Sequence, residues 1–245
     1  MPRALLFDLH GTLAYLQNRV NERTASKLLL QHGLPVYPQT LEAAWKYVGM
    51  VDYPREGYAG WHDYLEKVLV RTGVRPRSSA IEDLETLYLR QKWKLFPDSR
   101  RALKKAKQAG LKTAIVTTIA KFMFKELLQD TGDQFDIVVD GHTFRREKSD
   151  PKIYARTIAS LGVKPRETFM VGDDVLTDVQ TANDAGLRPL LLVREGEAPA
   201  GSNEAYAVVR TLGEAVRKAS AGMPAPIPEK TTTSRRDSRP RHQPG

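Results

Sequence analysis

The chain has 245 residues, of which 41% are hydrophobic, so it is long enough for one large core or for a core domain with a smaller inserted domain. It contains no cysteine, which excludes disulfides, thiolate catalysis and cysteine-ligated metal centres. Its formal net charge of +9 suits anionic partners, either small anionic substrates or a phosphate backbone.

Short apolar or β-branched runs, bounded by glycine, proline or charged residues, predict buried strands. They cover residues 4–7, 112–117, 135–139, 168–171 and 189–193. Helical patterns lie at residues 99–109, 121–129, 151–161 and 176–185, and three of them stop at a glycine. This alternation predicts an α/β fold with a Rossmann-like parallel sheet, which binds ligands at the carboxyl ends of its strands.

Residues 16–92 interrupt this alternation, because about four helical segments follow one another without a strand. They cover residues 21–32, 41–48 and 61–71, and the last begins at Ser79, whose hydroxyl is placed to cap the helix while Glu82 reaches back. We therefore predict a catalytic core of residues 1–15 and 93–221 with an all-helical cap of residues 16–92. The cap is expected to lie over the carboxyl end of the first strand.

The two ends of the chain carry no membrane signal. No run approaches the roughly 20 apolar residues of a membrane span, and the amino-terminal run is interrupted by Asp8 and His10. The segment from Gly222 onward is rich in proline, serine and arginine and carries about +3 of the net charge, which predicts a disordered basic tail at 222–245. We expect a cytoplasmic protein without membrane contact, and at most weak nucleic-acid contact through the tail.

Polar and charged side chains follow the predicted strands and converge on one sheet edge. Asp8 comes directly after the first strand, where Gly11 permits a sharp turn. The side chains expected at this edge are Asp8, Thr117, Thr118, Lys148, Asp173, Asp174 and Asp178. An aspartate at a strand end is often only a cap, but four loops meeting at one edge predict a catalytic site.

The strings FDLHGTL, IVTT, EKSDP and VGDDVLTD resemble the four ordered motifs of the haloacid dehalogenase superfamily. The resemblance extends from residue 3 to about residue 193, and it implies a Rossmann-like core with a helical cap inserted after the first motif. It also implies a hydrolase in which Asp8 is the nucleophile. Thr117 and Thr118 would bind the phosphoryl group, and Lys148 would neutralise its charge.

The same resemblance implies Mg²⁺ as cofactor, held by the Asp8 carboxylate, the backbone carbonyl of His10 and the Asp173 carboxylate. Asp174 and Asp178 would support these ligands from behind. Electrostatics points the same way, because Asp8, Asp173 and Asp174 are expected to crowd together and Lys148 alone cannot balance them. The expected substrate is a small phosphorylated metabolite, hydrolysed through an aspartyl phosphate.

His10 departs from the family pattern, because it stands where the phosphatases carry a second aspartate that acts as general acid and base. Histidine can perform both roles near neutral pH. The dehalogenases of the family usually carry an aromatic residue there and attack carbon without a metal. Two alternatives therefore stay open: a 2-haloacid dehalogenase, and a weakly active or non-catalytic phosphate-binding relative.

Simpler interpretations exist for several of these residues. Lys148 lies in a charged loop where a solvated lysine is common, and Lys152 is a second candidate for its role. Aromatic residues at helical spacing in the cap usually serve packing, although they could also shape a substrate pocket. These aromatic residues are Trp45, Tyr53, Tyr58, Trp61 and Tyr64.

Overall fold

The computed structural model describes residues 3–221 and contains a six-stranded sheet in which every neighbouring pair is parallel. The strands are β1 (Ala4–Phe7), β4 (Lys112–Val116), β5 (Ile137–Val139), β6 (Thr168–Gly172), β7 (Arg188–Leu192) and β8 (Ala207–Val209). Their spatial order is β5-β4-β1-β6-β7-β8, so β1 lies in the middle of the sheet. The predicted Rossmann-like α/β fold is confirmed.

Strand β1 is buried throughout, and its side chains belong alternately to two hydrophobic clusters. Leu5 and Phe7 belong to one cluster, and Ala4 and Leu6 belong to the other. The helices that accompany the sheet are α6 (Ser99–Gln108), α7 (Lys125–Thr131), α8 (Lys152–Leu161), α9 (Thr181–Asp184) and α10 (Leu212–Ser220). Clusters on both faces explain why the central strands are continuously apolar.

The helices that lie between β1 and β4 in the chain form a hydrophobic cluster of their own. They are α1 (Glu22–Gln31), α2 (Pro38–Tyr47), α3 (Tyr53–Glu56), α4 (Trp61–Arg71) and α5 (Ser78–Leu89). Helix α1 begins after Asn21, whose side chain accepts a hydrogen bond from the backbone N–H of Thr24. The predicted cap of α5 by Ser79 is wrong: the helix begins at Ser78, and Ser79 Oγ lies 3.3 Å from Nδ1 of His32.

A second, two-stranded sheet flanks these helices along the chain. It pairs β2 (Ala14–Gln17) with β3 (Lys92–Leu95) in antiparallel register, and sequence periodicity did not predict it. The predicted cap limits, residues 16 and 92, fall within these two strands. The segment that carries the inserted helices therefore begins and ends in a ribbon of two paired strands, β2 and β3. The division into core and cap stays a prediction.

None of the helices between residues 3 and 221 is long and apolar enough to cross a membrane. The predicted basic tail, residues 222–245, lies outside the described residues.

Candidate active site

Asp8 is the first residue after β1, and its position is set by the sheet. Its backbone N–H donates to the carbonyl of Val171 at 2.9 Å, which extends the parallel pairing of β1 with β6 by one residue. The side chain is 7% exposed and its carboxylate accepts a hydrogen bond from the ammonium group of Lys148. The predicted nucleophile thus lies at the carboxyl edge of the sheet beside a buried cation.

Lys148 lies between two carboxylates. Its Nζ atom pairs with Asp8 and lies 2.6 Å from Oδ1 of Asp178. Burial favours the neutral amine, but Asp178 and Asp8 together raise the pKa of Lys148 well above its usual value, so the side chain stays protonated. Lys152, the second candidate for this position, is exposed in α8.

Asp173 follows β6 and lies against the turn after Asp8. Thr12 Oγ1 donates to Oδ1 of Asp173 at 3.1 Å, and Thr12 is fully buried. Gly11 has a φ of +82°, and a Cβ atom there would overlap the Asp173 carboxylate. Sequence reasoning assigned no role to Thr12, although the hydroxyl at this position of FDLHGTL was a visible signal.

The carboxylates of Asp8, Asp173 and Asp178 form an acidic cluster in which one oxygen from each lies within 4.8 Å of the others. Burial raises the pKa of Asp8, and Lys148 offsets part of that rise. Asp173 is exposed, but partial desolvation and the charge of Asp178 raise its pKa. Burial raises the pKa of Asp178 to about 6. Three crowded carboxylates therefore face one ammonium group, and oxygen ligands of this kind suit a divalent cation such as Mg²⁺.

The two remaining acids of the last motif have distinct structural roles. Asp174 is exposed, and its Oδ1 atom accepts from the backbone N–H of Thr177 at 2.6 Å, so it caps the helical turn Val175–Gln180. Asp178 is 1% exposed, and its Oδ2 atom accepts from the backbone N–H of Asp174 at 3.1 Å. The third member of the acidic cluster is thus Asp178, whereas the crowding argument from sequence had placed Asp174 there.

Thr117 and Thr118 follow β4 at the same edge. Thr117 is 1% exposed, and its hydroxyl oxygen accepts from the backbone N–H of Ile119 at 3.2 Å. Because the oxygen accepts that bond, the O–H group of Thr117 can still donate a hydrogen bond to a bound group. Thr118 is less buried and lines the cavity described below.

His10 stands at the mouth of the site on the turn between β1 and β2. Its ring meets the Trp93 indole edge-to-face, with centroids 5.8 Å apart. Desolvation lowers the pKa of His10, Arg19 adds to this effect, and Asp173 opposes it. An imidazole donates a proton from its protonated form and accepts one in its neutral form, and both forms are accessible near neutral pH.

A cavity of about 700 Å³ lies between the inserted helices and the sheet edge. Its lining includes His10 and Thr118 from the edge, and Trp45, Trp61 and Tyr88 from the helices. Of the aromatic residues predicted for the cap, Trp45 and Trp61 line this cavity. Tyr53 and Tyr64 instead are buried in the hydrophobic cluster of the helices. The cavity reaches the sheet edge through His10 and Thr118.

Comparison with known proteins agrees with the motif pattern. The model of the haloacid dehalogenase-like hydrolase family matches residues 2–186. The glyceraldehyde 3-phosphate phosphatase of Pyrococcus furiosus is 28% identical over 203 residues, which cover 76% of this chain and 78% of the relative. The phosphoglycolate phosphatase of Aquifex aeolicus is 28% identical over 197 residues, covering 77% of this chain and 84% of the relative.

Two solved structures share the architecture. The HAD phosphatase from Thermococcus onnurineus superposes with a TM-score of 0.58 at 26% identity, covering 91% of this chain and 99% of that one. The L-2-haloacid dehalogenase from Xanthobacter autotrophicus also superposes with a TM-score of 0.58, at 22% identity, covering 89% of this chain and 98% of that one. At that identity the second likeness concerns the fold alone.

Proposed function

Because the chain belongs to the haloacid dehalogenase-like hydrolase family, we propose that it is a phosphatase that hydrolyses small phosphate monoesters through Asp8. The observation that carries this proposal is the buried arrangement of Asp8, Lys148 and Asp178 beside Asp173. Relatives named as phosphatases of small phosphorylated compounds, among them the phosphoserine phosphatase of Thermus thermophilus, support it.

The proposed chemistry has two displacements at phosphorus. A carboxylate oxygen of Asp8 attacks the phosphoryl group, the bond to the leaving oxygen breaks, and the protonated His10 imidazole gives its proton to the departing alcohol and becomes neutral. Water then attacks phosphorus with His10 accepting its proton, which releases inorganic phosphate and restores the Asp8 carboxylate. Lys148, which pairs with Asp8, and the buried Thr117 hydroxyl would stabilise charge on the phosphoryl oxygens.

The residues present suit Mg²⁺. The Asp8 and Asp173 carboxylates and the backbone carbonyl of His10 would hold it, while Asp178 has both oxygens engaged by Lys148 and the Asp174 backbone. When bound, the ion supplies positive charge that the crowded carboxylates and a phosphoryl group both need. The Thr12 hydroxyl holds the Asp173 carboxylate by a hydrogen bond, and Gly11 leaves the space that this carboxylate occupies.

The test is phosphate release from a panel of phosphomonoesters, with Mg²⁺ or with EDTA, by the wild type and by Asp8→Asn. An amide is a poor nucleophile and a poor metal ligand, so we expect release that requires both Mg²⁺ and Asp8. Asp63→Asn, which changes an exposed acid of α4 in the same isosteric way, is the matched control and should keep full activity.

The same panel separates the alternatives. Metal-independent chloride release from 2-chloropropionate without phosphate release would identify a dehalogenase. Phosphate binding without turnover of any ester would identify a non-catalytic relative. The cytoplasmic location and the small phosphorylated metabolite as partner remain expectations of this proposal.

A further inference from the structure

The cavity beside the site contains every tryptophan of the chain. The sequence has three tryptophans, and Trp45, Trp61 and Trp93 all line the cavity. Trp93 lies on β3 beside His10, whereas Trp45 and Trp61 lie on the inserted helices α2 and α4. Aromatic side chains therefore line the cavity from the turn that carries His10 to the inserted helices.

The inserted helices contribute an aromatic cluster in which Tyr88 stacks with two indoles, Trp45 and Trp61, that are tilted by 36° to each other. Tyr88 stacks with Trp45 at a centroid distance of 4.8 Å and an interplanar angle of 22°. It also stacks with Trp61 at 5.4 Å and 15°. Tyr88 is 7% exposed, but both indoles are only partly buried, so aromatic surface of the stack remains open to the cavity. Such surface favours a flat partner over a branched or flexible one.

The size of the cavity exceeds what the smallest phosphate esters need. Its volume of about 700 Å³ lies in the range of pockets that enclose ligands with one or more rings, roughly 300–1,000 Å³. A two- or three-carbon ester would leave most of the aromatic side chains of the cavity without a contact. The volume thus indicates a larger leaving group than such an ester carries.

The charges of the lining indicate an uncharged leaving group. Three basic and three acidic side chains face the cavity, namely Arg19, Lys46, Lys125, Glu22, Glu85 and Glu126. Arg19 pairs with Glu22 at 3.3 Å, and Lys46 pairs with Glu42 at 2.7 Å. With its charges balanced and partly paired, this region offers no concentrated positive site for a second phosphate or a carboxylate.

We propose that the substrate is a phosphate monoester whose alcohol carries a planar ring, bound against Trp45 and Trp61 while the phosphoryl group meets Asp8. This inference rests on the proposed phosphatase function and names its substrate class. Simple aryl phosphates and nucleoside monophosphates both combine a phosphate monoester with a planar ring.

The first test is binding, because the three tryptophans report directly on the cavity. Asp8→Asn, whose neutral amide prevents turnover and removes one negative charge from the site, is titrated with phenyl phosphate, cyclohexyl phosphate and phosphoglycolate while tryptophan fluorescence is recorded. We expect quenching by phenyl phosphate and at least tenfold weaker binding of cyclohexyl phosphate, which has a similar size but no flat face. Equal affinities for the phenyl and cyclohexyl esters would overturn the inference.

The second test is specificity in turnover. Trp61→Leu should lower kcat/KM for phenyl phosphate about tenfold, mainly through KM, with less than a twofold change for phosphoglycolate. Trp61→Phe keeps a flat ring and should restore most of the loss, which separates stacking from a general packing defect. Tyr37→Leu removes a 76% exposed aromatic residue outside the cavity and should change neither ester.

The outcomes distinguish this inference from the proposed function. Asp8-dependent phosphate release without preference for a ring overturns the inference and leaves the phosphatase in place. Selective binding of phenyl phosphate without release of phosphate from any ester overturns the phosphatase and supports the ring pocket. Adenosine 5′-monophosphate, tested beside phenyl phosphate, separates a nucleotide pocket from a pocket for simple aryl esters.

Discussion

The ammonium group of Lys148 lies 2.6 Å from Oδ1 of Asp178, and both side chains are almost completely buried, with 3% and 1% of their surface exposed. The same ammonium group pairs with Asp8, so one cation joins the proposed nucleophile to the last acidic motif. Because charges in such surroundings are costly without a partner, this contact governs both the stability and the chemistry of the site.

Removing the cation should destabilise the fold as well as abolish activity. Lys148→Met leaves Asp8 and Asp178 buried without their partner, which we expect to lower the free energy of unfolding by about 3–5 kcal/mol in EDTA. Urea unfolding measures this change. Lys152→Met alters an exposed lysine in the same way and should stay within about 0.5 kcal/mol of the wild type. Equal stability of the two variants would contradict the structural role of Lys148.

Divalent cations should stabilise the protein through the acidic cluster. At a Mg²⁺ concentration 100 times the dissociation constant, the gain is about 2.7 kcal/mol, seen as a rise in Tm that EDTA reverses. Asp173→Asn should remove most of this rise, because it removes one charge from the three carboxylates. Asp63→Asn should keep it. A Tm that does not respond to Mg²⁺ in the wild type would argue against a metal site here.

The turn after Asp8 offers a comparison between two glycines with the same backbone conformation. Gly11 and Gly73 have φ values of +82° and +83°, but an added Cβ at Gly11 overlaps the Asp173 carboxylate whereas Gly73 faces open space. Both alanine variants should lose about 1–2 kcal/mol from left-handed backbone strain. Only Gly11→Ala should also lose at least 100-fold in phosphate release. Similar activity in both variants would show that the position of Asp173 is not critical.

Tyr53 connects the inserted helices to the core by donating a hydrogen bond to Asp140. Burial alone would raise the pKa of Asp140, but hydrogen bonds from Tyr53 and Thr143 lower it below its usual value of 3.8. The stabilisation from this carboxylate is therefore present above pH 3.8 and is lost as the pH falls through the lower, folded-state pKa.

Tyr53→Phe should accordingly lower the free energy of unfolding by about 1.5–3 kcal/mol at pH 7. The deficit should shrink as the pH falls below 3.8, where the unfolded chain binds the proton first, and it should be smallest below the lower folded-state pKa of Asp140. Urea unfolding at several pH values gives the measurement, with the exposed Tyr37→Phe as control. A deficit that is the same at pH 3 and pH 7 would mean that the carboxylate is not responsible.

Local patterns predicted most of the core and its motif residues. Strand β1 was predicted with its observed limits, and β4, β6 and β7 to within one residue at each end, because strands buried on both faces read as continuous apolar runs. The ribbon of β2 and β3 was missed, since its strands lie far apart in sequence, have four residues each and contain no continuous buried apolar run. Strand β8 was missed because three residues carry too little pattern.

The sequence by itself determined the family, through the resemblance of its four motifs to those of known hydrolases. It also predicted the parallel sheet and the edge that receives Asp8, Thr117, Lys148 and Asp173, because both follow from the order of apolar runs and helical patterns along the chain. Only the tertiary structure decided that Asp178 joins the acidic cluster and that Thr12 orients Asp173. It also decided which cap aromatics line the cavity and which are buried. Those outcomes depend on contacts between residues tens of positions apart, whose geometry is set by packing rather than by local propensity.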